Sequence, residues 1–310
     1  MAQATQPMQG AASGAGQITE AARADLLRVW PRLSLSRLIT VLLVGTLFLW
    51  GLDATNAKPG ELVSGIPHIK NFVVRMFPPR FETVTETLQT PAISLGFVTF
   101  PRVGFESVTF TFPEVLYAVV QTVQIAIIGT VFAIILSIPF ALLAARNISP
   151  HPLVYQGTRM LMNANRAIPD IIFALVFVAA VGLGPFGGVL ALAVGSIGFM
   201  AKVFAEAIEA IDPQQVQAIR ATGANRWQVI SFAVVPQAMP LVLSYALLLF
   251  ESNVRSATIL GLVGAGGVGF TLSKYMALFQ YDLLLGALIF IVLMVTVVDR
   301  FSDMARRRFI

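Results

Sequence analysis

Long apolar runs separated by short polar segments set the pattern of this chain. The first run is Leu38–Leu52. Extended back to Leu33 it gives about twenty residues, enough to cross a ~30 Å hydrocarbon core if the Arg37 side chain reaches back to the interface. Val115–Ala145 carries no charge. Its spanning part is expected at Ile125–Ala145, with Leu116–Gln124 as a lead-in and a kink at Pro139. Ile171–Ala201 is also uncharged, but Gly182, Gly184, Pro185, Gly187 and Gly188 interrupt it, which predicts two helices joined by a tight turn. Ala238–Leu262 and Leu283–Val298 complete the set. None of these runs alternates with period two, as barrel strands would. In hydrocarbon a helix satisfies its own backbone. The pattern therefore predicts an all-α, polytopic integral membrane protein with about six transmembrane helices.

The polar segments orient it. Residues 1–32 open with Ala, Gln, Gly, Ser and Thr and few large apolar groups, and are expected to form a disordered cytoplasmic tail. Residues 33–112 hold the first transmembrane helix and an extracytoplasmic segment in which Phe72, Val73, Met76 and Phe77 suggest a short interfacial helix, broken by Pro78-Pro79. Residues 304–310 form a basic cytoplasmic end. With this assignment basic residues concentrate on the segments placed inside, while Asp53–Phe112 holds Lys58, Lys70, Arg75, Arg80 and Arg102 outside. The positive-inside rule is met with both termini cytoplasmic.

One polar stretch, Gln217–Pro236, is longer than a simple connection between spans requires. Upstream, Asp212-Pro213 reads as an N-cap followed by a first-turn proline, so a short helix runs from Pro213 to Thr222 and ends at Gly223. Asn225 caps a second helix through Trp227, Val229 and Ile230. Two short helices with a sharp turn lie on the membrane face.

Composition narrows the classes. Of 310 residues 56% are hydrophobic and 12% charged, far below the ~25% charged of soluble domains. There is no cysteine, and the two histidines, His68 and His151, are too scattered for a metal cluster, so neither a metal site nor a catalytic constellation is expected. The net charge of +5 is explained by arginines at span ends and needs no nucleic acid. No Gly-x-x-x-x-Gly-Lys-Ser/Thr loop is present, so nucleotide energy would have to come from a partner.

The spacing in the elbow resembles the EAA loop of ABC importer permeases. Gly223 and Pro236 keep that loop's interval, Ala218 and Ala221 fill small positions and Trp227 an aromatic one; Gln217 and Ile219 depart from it. Asn165–Pro185, Lys202–Ile211 and Asn253–Gly269 extend the resemblance to the permease subunits of phosphonate and phosphite importers over about Val115–Val298. Glycine-rich turns of this kind also occur in importers of methionine and glycine betaine. The resemblance implies a type I ABC importer permease fold, with the core at 113–303 and the coupling loop at 206–236, in a bacterial cytoplasmic (inner) membrane. It implies a homodimer, a cytoplasmic ABC ATPase dimer that binds ATP and Mg, and an extracytoplasmic substrate-binding protein, with no cofactor in this chain itself. Coupling to the ATPase then falls to Gln217, Ala218, Arg220, Ala221, Gly223, Ala224, Arg226, Trp227 and Pro236.

Candidate residues of the translocation path or gate are Glu251, Asn253, Arg255, Gly264, Gly266, Gly267 and Lys202. Glu251 and Arg255 lie four apart on one helix and can pair, with Arg255 either facing an anion path or locked in a structural ion pair. Asn253 either lines the path or bonds a neighbouring helix. The glycines lack a preceding strand and sit among apolar residues, which favours a close-packed outer gate or re-entrant turn over a phosphate nest. Lys202 and Glu206 are spaced to pair at a span end, as a boundary pair or an inner gate. Arg166 and Asp170 have the same spacing, and Arg166 either anchors the leaflet or helps seal the inner end. The rival class is a secondary transporter or channel that works without an ATPase.

Overall fold

The computed structural model describes residues 35–55, 59–88 and 108–309. The expected N-terminal tail lies outside them. Two units are distinguished, 1–67 and 68–310. In the first, helix α1 (Leu35–Ala54) is continuous, apolar and exposed along its length. Helix α2 (Pro59–Met76) begins in that unit and ends in the second. Its final turn buries Met76 and sets Phe72 edge-on against Tyr281 at 4.8 Å.

Strands β1 (Thr83–Leu88) and β2 (Val108–Pro113) pair antiparallel, Thr83 opposite Pro113, and lead into α3. Nothing in the hydropathy pattern predicts this ribbon. Its Thr-Val-Thr and Val-Thr-Phe-Thr alternation is the only sequence trace of it.

The second unit is built on α3 (Glu114–Ala144) and α6 (Pro185–Glu209). They pack in parallel through small residues. A Cβ at Gly129 would lie 2.8 Å from Leu192 Cβ, and a Cβ at Gly188 would lie 3.3 Å from Ile125 Cγ2. Small-residue contacts of this kind bring helices close where no hydrophobic effect drives them together. The lead-in and the expected span form one helix that continues through Pro139.

Between these two helices lie α4 (Pro152–Ala167) and α5 (Asp170–Val181), bent by 84° at Ile168-Pro169. Pro169 cannot continue a helix and holds Ile168 extended. Five helices are long and apolar enough to cross a membrane among the described residues, and a sixth crossing exists only if α4 and α5 count as one. Helix α5 alone has 12 residues, about 18 Å at 1.5 Å per residue, short of a ~30 Å core.

After α6 come α7 (Pro213–Ala221) and α8 (Arg226–Val229), then a π-helical turn (Ile230–Val234) that runs into α9 (Val235–Gly261). The wide turn has a cause. An α-helix would press the Pro236 ring against the Phe232 carbonyl. Instead the Val235 N–H donates to the Ile230 carbonyl, five residues back. Helix α10 (Gly267–Ala277) and the long α11 (Tyr281–Phe309) close the chain. The basic end expected as a separate segment is the last turns of α11, which continues to Phe309.

Candidate functional site

Two regions gather the candidate residues. The first is the elbow, at the Ala144 end of α3. Both predicted caps form: Asp212 Oδ1 accepts the Gln214 N–H at 2.8 Å, and Asn225 and Gln228 make a reciprocal capping box. Gly223 takes φ +82° at the turn between α7 and α8, a left-handed conformation that costs side-chain-bearing residues strain. The Arg226 guanidinium donates to the Ile148 carbonyl, and the Asp212 N–H donates to Gln237 Oε1 at 2.9 Å, which ties both ends of the elbow to the bundle. Gln217, Ala218, Arg220, Ala221, Gly223, Arg226, Trp227 and Pro236 are exposed and Ala224 half-buried. Trp227 is 71% exposed. Behind the elbow a cavity of about 720 Å³ is lined by residues that include Gln217, Arg220, Ala224 and Arg226.

Next to it Glu209 acts as a hub. Its Oε1 accepts the Arg146 N–H at 2.7 Å, while Arg159 reaches both carboxylate oxygens at 3.0 and 3.1 Å. Sequence spacing points to Lys202 and Glu206 as the pair here, and the structure does not form it: the salt bridge is Arg159–Glu209. An i,i+4 pair at a surface gains little Coulomb energy against side-chain entropy, whereas Arg159 also donates Nε–H to the Ala144 carbonyl at 3.2 Å. Lys202 lines neither cavity.

The second region lies halfway along α3. Asn253 is 2% exposed. Its Nδ2 donates to Thr130 Oγ1 at 2.9 Å, and its Oδ1 accepts from Ser196 at 3.2 Å, so one amide joins α3, α6 and α9. It also borders a cavity of about 370 Å³ with Arg166, Asp170, Ser196, Ser252 and Arg255. The helix–helix bond, one of the two alternatives for Asn253, is formed, and the residue also borders a cavity. Arg255 does pair with Glu251, at 2.7 Å, and also with Asp299 of α11 at 3.1 Å. Arg306 approaches Glu251 at 3.6 Å. Asp299 and Arg306 were invisible to sequence spacing, since they lie 44 and 55 positions from their partners. Arg166 and Asp170, four apart in sequence, flank the 84° bend and border the same cavity without an ion pair between them, and Asp170 Oδ2 accepts from Ser256 at 3.1 Å.

Above this cavity, towards the Glu114 end of α3, the glycine-rich segment makes a packed turn. Gly264, Gly266 and Gly267 have φ +93°, +78° and +70°. The Gly184 N–H donates to the Gly264 carbonyl at 2.9 Å, so this loop is bonded to the α5–α6 turn. The N–H groups of Gly267 and Val268 donate to Gln121 Oε1 and Thr122 Oγ1, both at 2.8 Å, and α3 side chains thereby cap α10. The segment is a close-packed turn in which the N–H groups of Gly264, Ala265, Gly267 and Val268 are bonded, as its apolar flanks suggest.

The chain was then compared with known proteins. A family model described as "Binding-protein-dependent transport system inner membrane component" matches residues 137–310. The "Putative phosphite transport system permease protein HtxC" of Stutzerimonas stutzeri is 37% identical over 79% of this chain and 77% of its own length. "Phosphite transport system permease protein PtxC" of the same organism is 45% identical over 61% of this chain and 69% of its own. The "Phosphate-import permease protein PhnE" of Mycolicibacterium smegmatis is 45% identical over 64% of this chain, which spans 37% of that relative's length. Among solved structures, a chain of the MetNI methionine ABC transporter in an inward-facing conformation matches with TM-score 0.57 and 22% identity, over 63% of this chain and 96% of that one. A chain of a bacterial alginate ABC transporter matches with TM-score 0.52 and 16% identity, over 93% and 96%. These likenesses establish the type I ABC importer permease fold, and the family match establishes that this chain belongs to the binding-protein-dependent transport system inner membrane components.

Proposed function

We propose that this chain is the permease subunit of an ATP-binding cassette importer and forms the path by which phosphonate or phosphite enters a bacterial cell. The observation that carries the reading is the elbow. Two capped helices meet at a positive-φ glycine and present exposed side chains, Trp227 foremost, at the end of the bundle where the polar loops gather. A membrane chain has no reason of its own to hold such a rigid exposed corner. A cytoplasmic ATPase that closes on ATP and Mg would use it as a handle. Two copies of the chain would enclose the path, both termini would lie in the cytoplasm, and an extracytoplasmic binding protein would deliver substrate. The permeases named for phosphite and phosphate import support the substrate class.

Gly223 tests the handle. A Cβ there meets nothing within 4 Å, so a substitution acts only through the backbone angle. Gly223→Val is expected to cost about 1–2 kcal/mol in the left-handed conformation and to re-aim α8. Gly223→Asn, which tolerates that conformation, is expected to retain uptake. Uptake of phosphite by cells should collapse for the first variant at unchanged membrane level. Normal uptake by Gly223→Val, or phosphite flux through the purified chain alone in liposomes, would overturn the reading.

A further inference from the structure

Two arginines border the 370 Å³ cavity, and they differ in what they already hold. Arg255 is bound on one side by Glu251 at 2.7 Å and on the other by Asp299 at 3.1 Å, within a network that Arg306 and Asp303 extend. Its charge is compensated by the protein. Arg166 has no carboxylate within ion-pair distance among the described residues. Its guanidinium lies 5.9 Å from the centre of the Phe199 ring, which also lines the cavity.

The backbone beneath Arg166 is fixed. The side chain of Asn165 reaches into α6, where its Nδ2 donates to the Val194 carbonyl at 3.1 Å and its Oδ1 accepts the Gly198 N–H at 2.8 Å. Those two groups stand four residues apart and would bond each other in an ordinary helix. One amide therefore clasps the end of α4 to the wall of the cavity. Gly198 makes room for it: a Cβ there would sit 2.6 Å from Asn165 Oδ1 and 3.0 Å from Arg166 Cγ. An exposed arginine with no carboxylate partner among the described residues, mounted on a fastened helix end and directed to a cavity with Ser196, Ser252 and Asn253, is placed for an oxyanion rather than for a structural bond.

We propose that Arg166 is the residue of this chain that contacts the transported oxyanion, while Arg255 serves the α9–α11 ion network. The proposal rests on the reading of the chain as a phosphonate or phosphite permease and goes beyond it by naming the contact. Asp170, held by Ser256, faces the same cavity and opposes a long-lived anion complex. A site that attracts an anion with one charge and limits it with another is a transit site, since conduction needs binding weak enough to release.

The native chain has no cysteine, so Ser252→Cys places a lone reporter thiol in the cavity wall. The detergent-solubilised full chain would be labelled with anionic, cationic and neutral methanethiosulfonates. A unit charge ~6 Å away in a water-like medium shifts the anionic-to-cationic rate ratio about tenfold. The ratio is expected to fall by that factor on Arg166→Gln, to persist in Arg166→Lys, and to change little when Arg255→Gln and Glu251→Gln are introduced together. Excess methylphosphonate or phosphite should slow labelling by the neutral reagent with Arg166 present and not with Arg166→Gln. An unchanged ratio in Arg166→Gln, or a tenfold fall in the Arg255/Glu251 double variant, overturns the proposal. A ratio set by Arg166 with protection by sulfate but by neither phosphorus anion supports the anion contact and overturns the substrate class.

Discussion

Replacement of Asn253 separates the cost of losing a buried hydrogen bond from that of burying a charge. Its amide makes two bonds, to Thr130 and from Ser196, at a site 2% exposed. Asn253→Leu keeps the branching at Cγ, in a larger side chain, and removes both. The hydroxyls left behind are not stranded. Thr130 Oγ1 already donates to the Ala126 carbonyl at 2.6 Å. Ser196 can turn to the carbonyl four residues back on α6, as helix serines do. Hydrogen bonds between membrane helices average ~0.6 kcal/mol, so the loss is about 1 kcal/mol, or about 2–4 °C for a chain of this size. Asn253→Asp is the smaller change in shape and the larger in energy: an ionised carboxylate there inherits two hydroxyls, Thr130 and Ser196, as its direct partners, and burying it costs several kcal/mol. Thermal unfolding in detergent, followed by size-exclusion recovery, reads both. The leucine variant is expected to melt a few degrees below the native chain and the aspartate variant far below that. A leucine variant as unstable as the aspartate one would refute the claim that the two hydroxyls are satisfied locally.

Two further outcomes follow from the packing. Gly269→Ala would put a Cβ 1.9 Å from the Thr258 carbonyl oxygen and 3.0 Å from Gly261 Cα, so α9 and α10 must part; a cost of at least ~2 kcal/mol and a loss of monodisperse protein are expected, and a native elution profile would contradict the close contact. The Arg159–Glu209 bridge is half-buried and bidentate, so a double-mutant cycle to alanine should return a coupling of about 1 kcal/mol, with Glu209→Ala the more damaging single change because it also frees the Arg146 N–H; zero coupling in thermal melts would count against it.

The elbow was legible in the sequence because its determinants are local. Asp212-Pro213, Gly223 and Asn225 are caps and stops that act on the next three or four residues, and each behaves as its chemistry dictates. The Glu251–Arg255 pair was legible for the same reason, as an i,i+4 contact. What escaped was set by distance along the chain. Nothing near Arg255 indicates that Asp299 lies 3.1 Å from it, and nothing near Glu209 announces Arg159. The reading of Lys202 with Glu206 failed by treating permitted spacing as realised contact. Nor does hydropathy show the size of the turn at Pro169, which holds Ile168 extended and sets α5 at 84° to α4.

The breaks in the helices and the polar lining have one origin. A chain in hydrocarbon can interrupt a helix only where the freed backbone groups find other partners. Three breaks among the described residues show this. Behind the elbow, the Val235 N–H moves one residue back, to Ile230, ahead of the proline. At the cavity, where Pro169 ends α4, the Ile168 N–H donates to the Asn165 carbonyl, and the Asn165 amide ties that end to the Val194 carbonyl and the Gly198 N–H of the continuous helix α6. At the glycine turn, Gln121 and Thr122 take the first N–H groups of α10, while the Gly184 N–H takes the Gly264 carbonyl. A helix secured only by its own ladder resists bending along its whole length. One whose ladder is handed to a neighbouring side chain at a single point can pivot there, if that side chain lets go. Side-chain ties of this kind fall at the cavity with Arg166 and at the glycine turn, so motion imposed at Gly223 would meet its next two compliant points there.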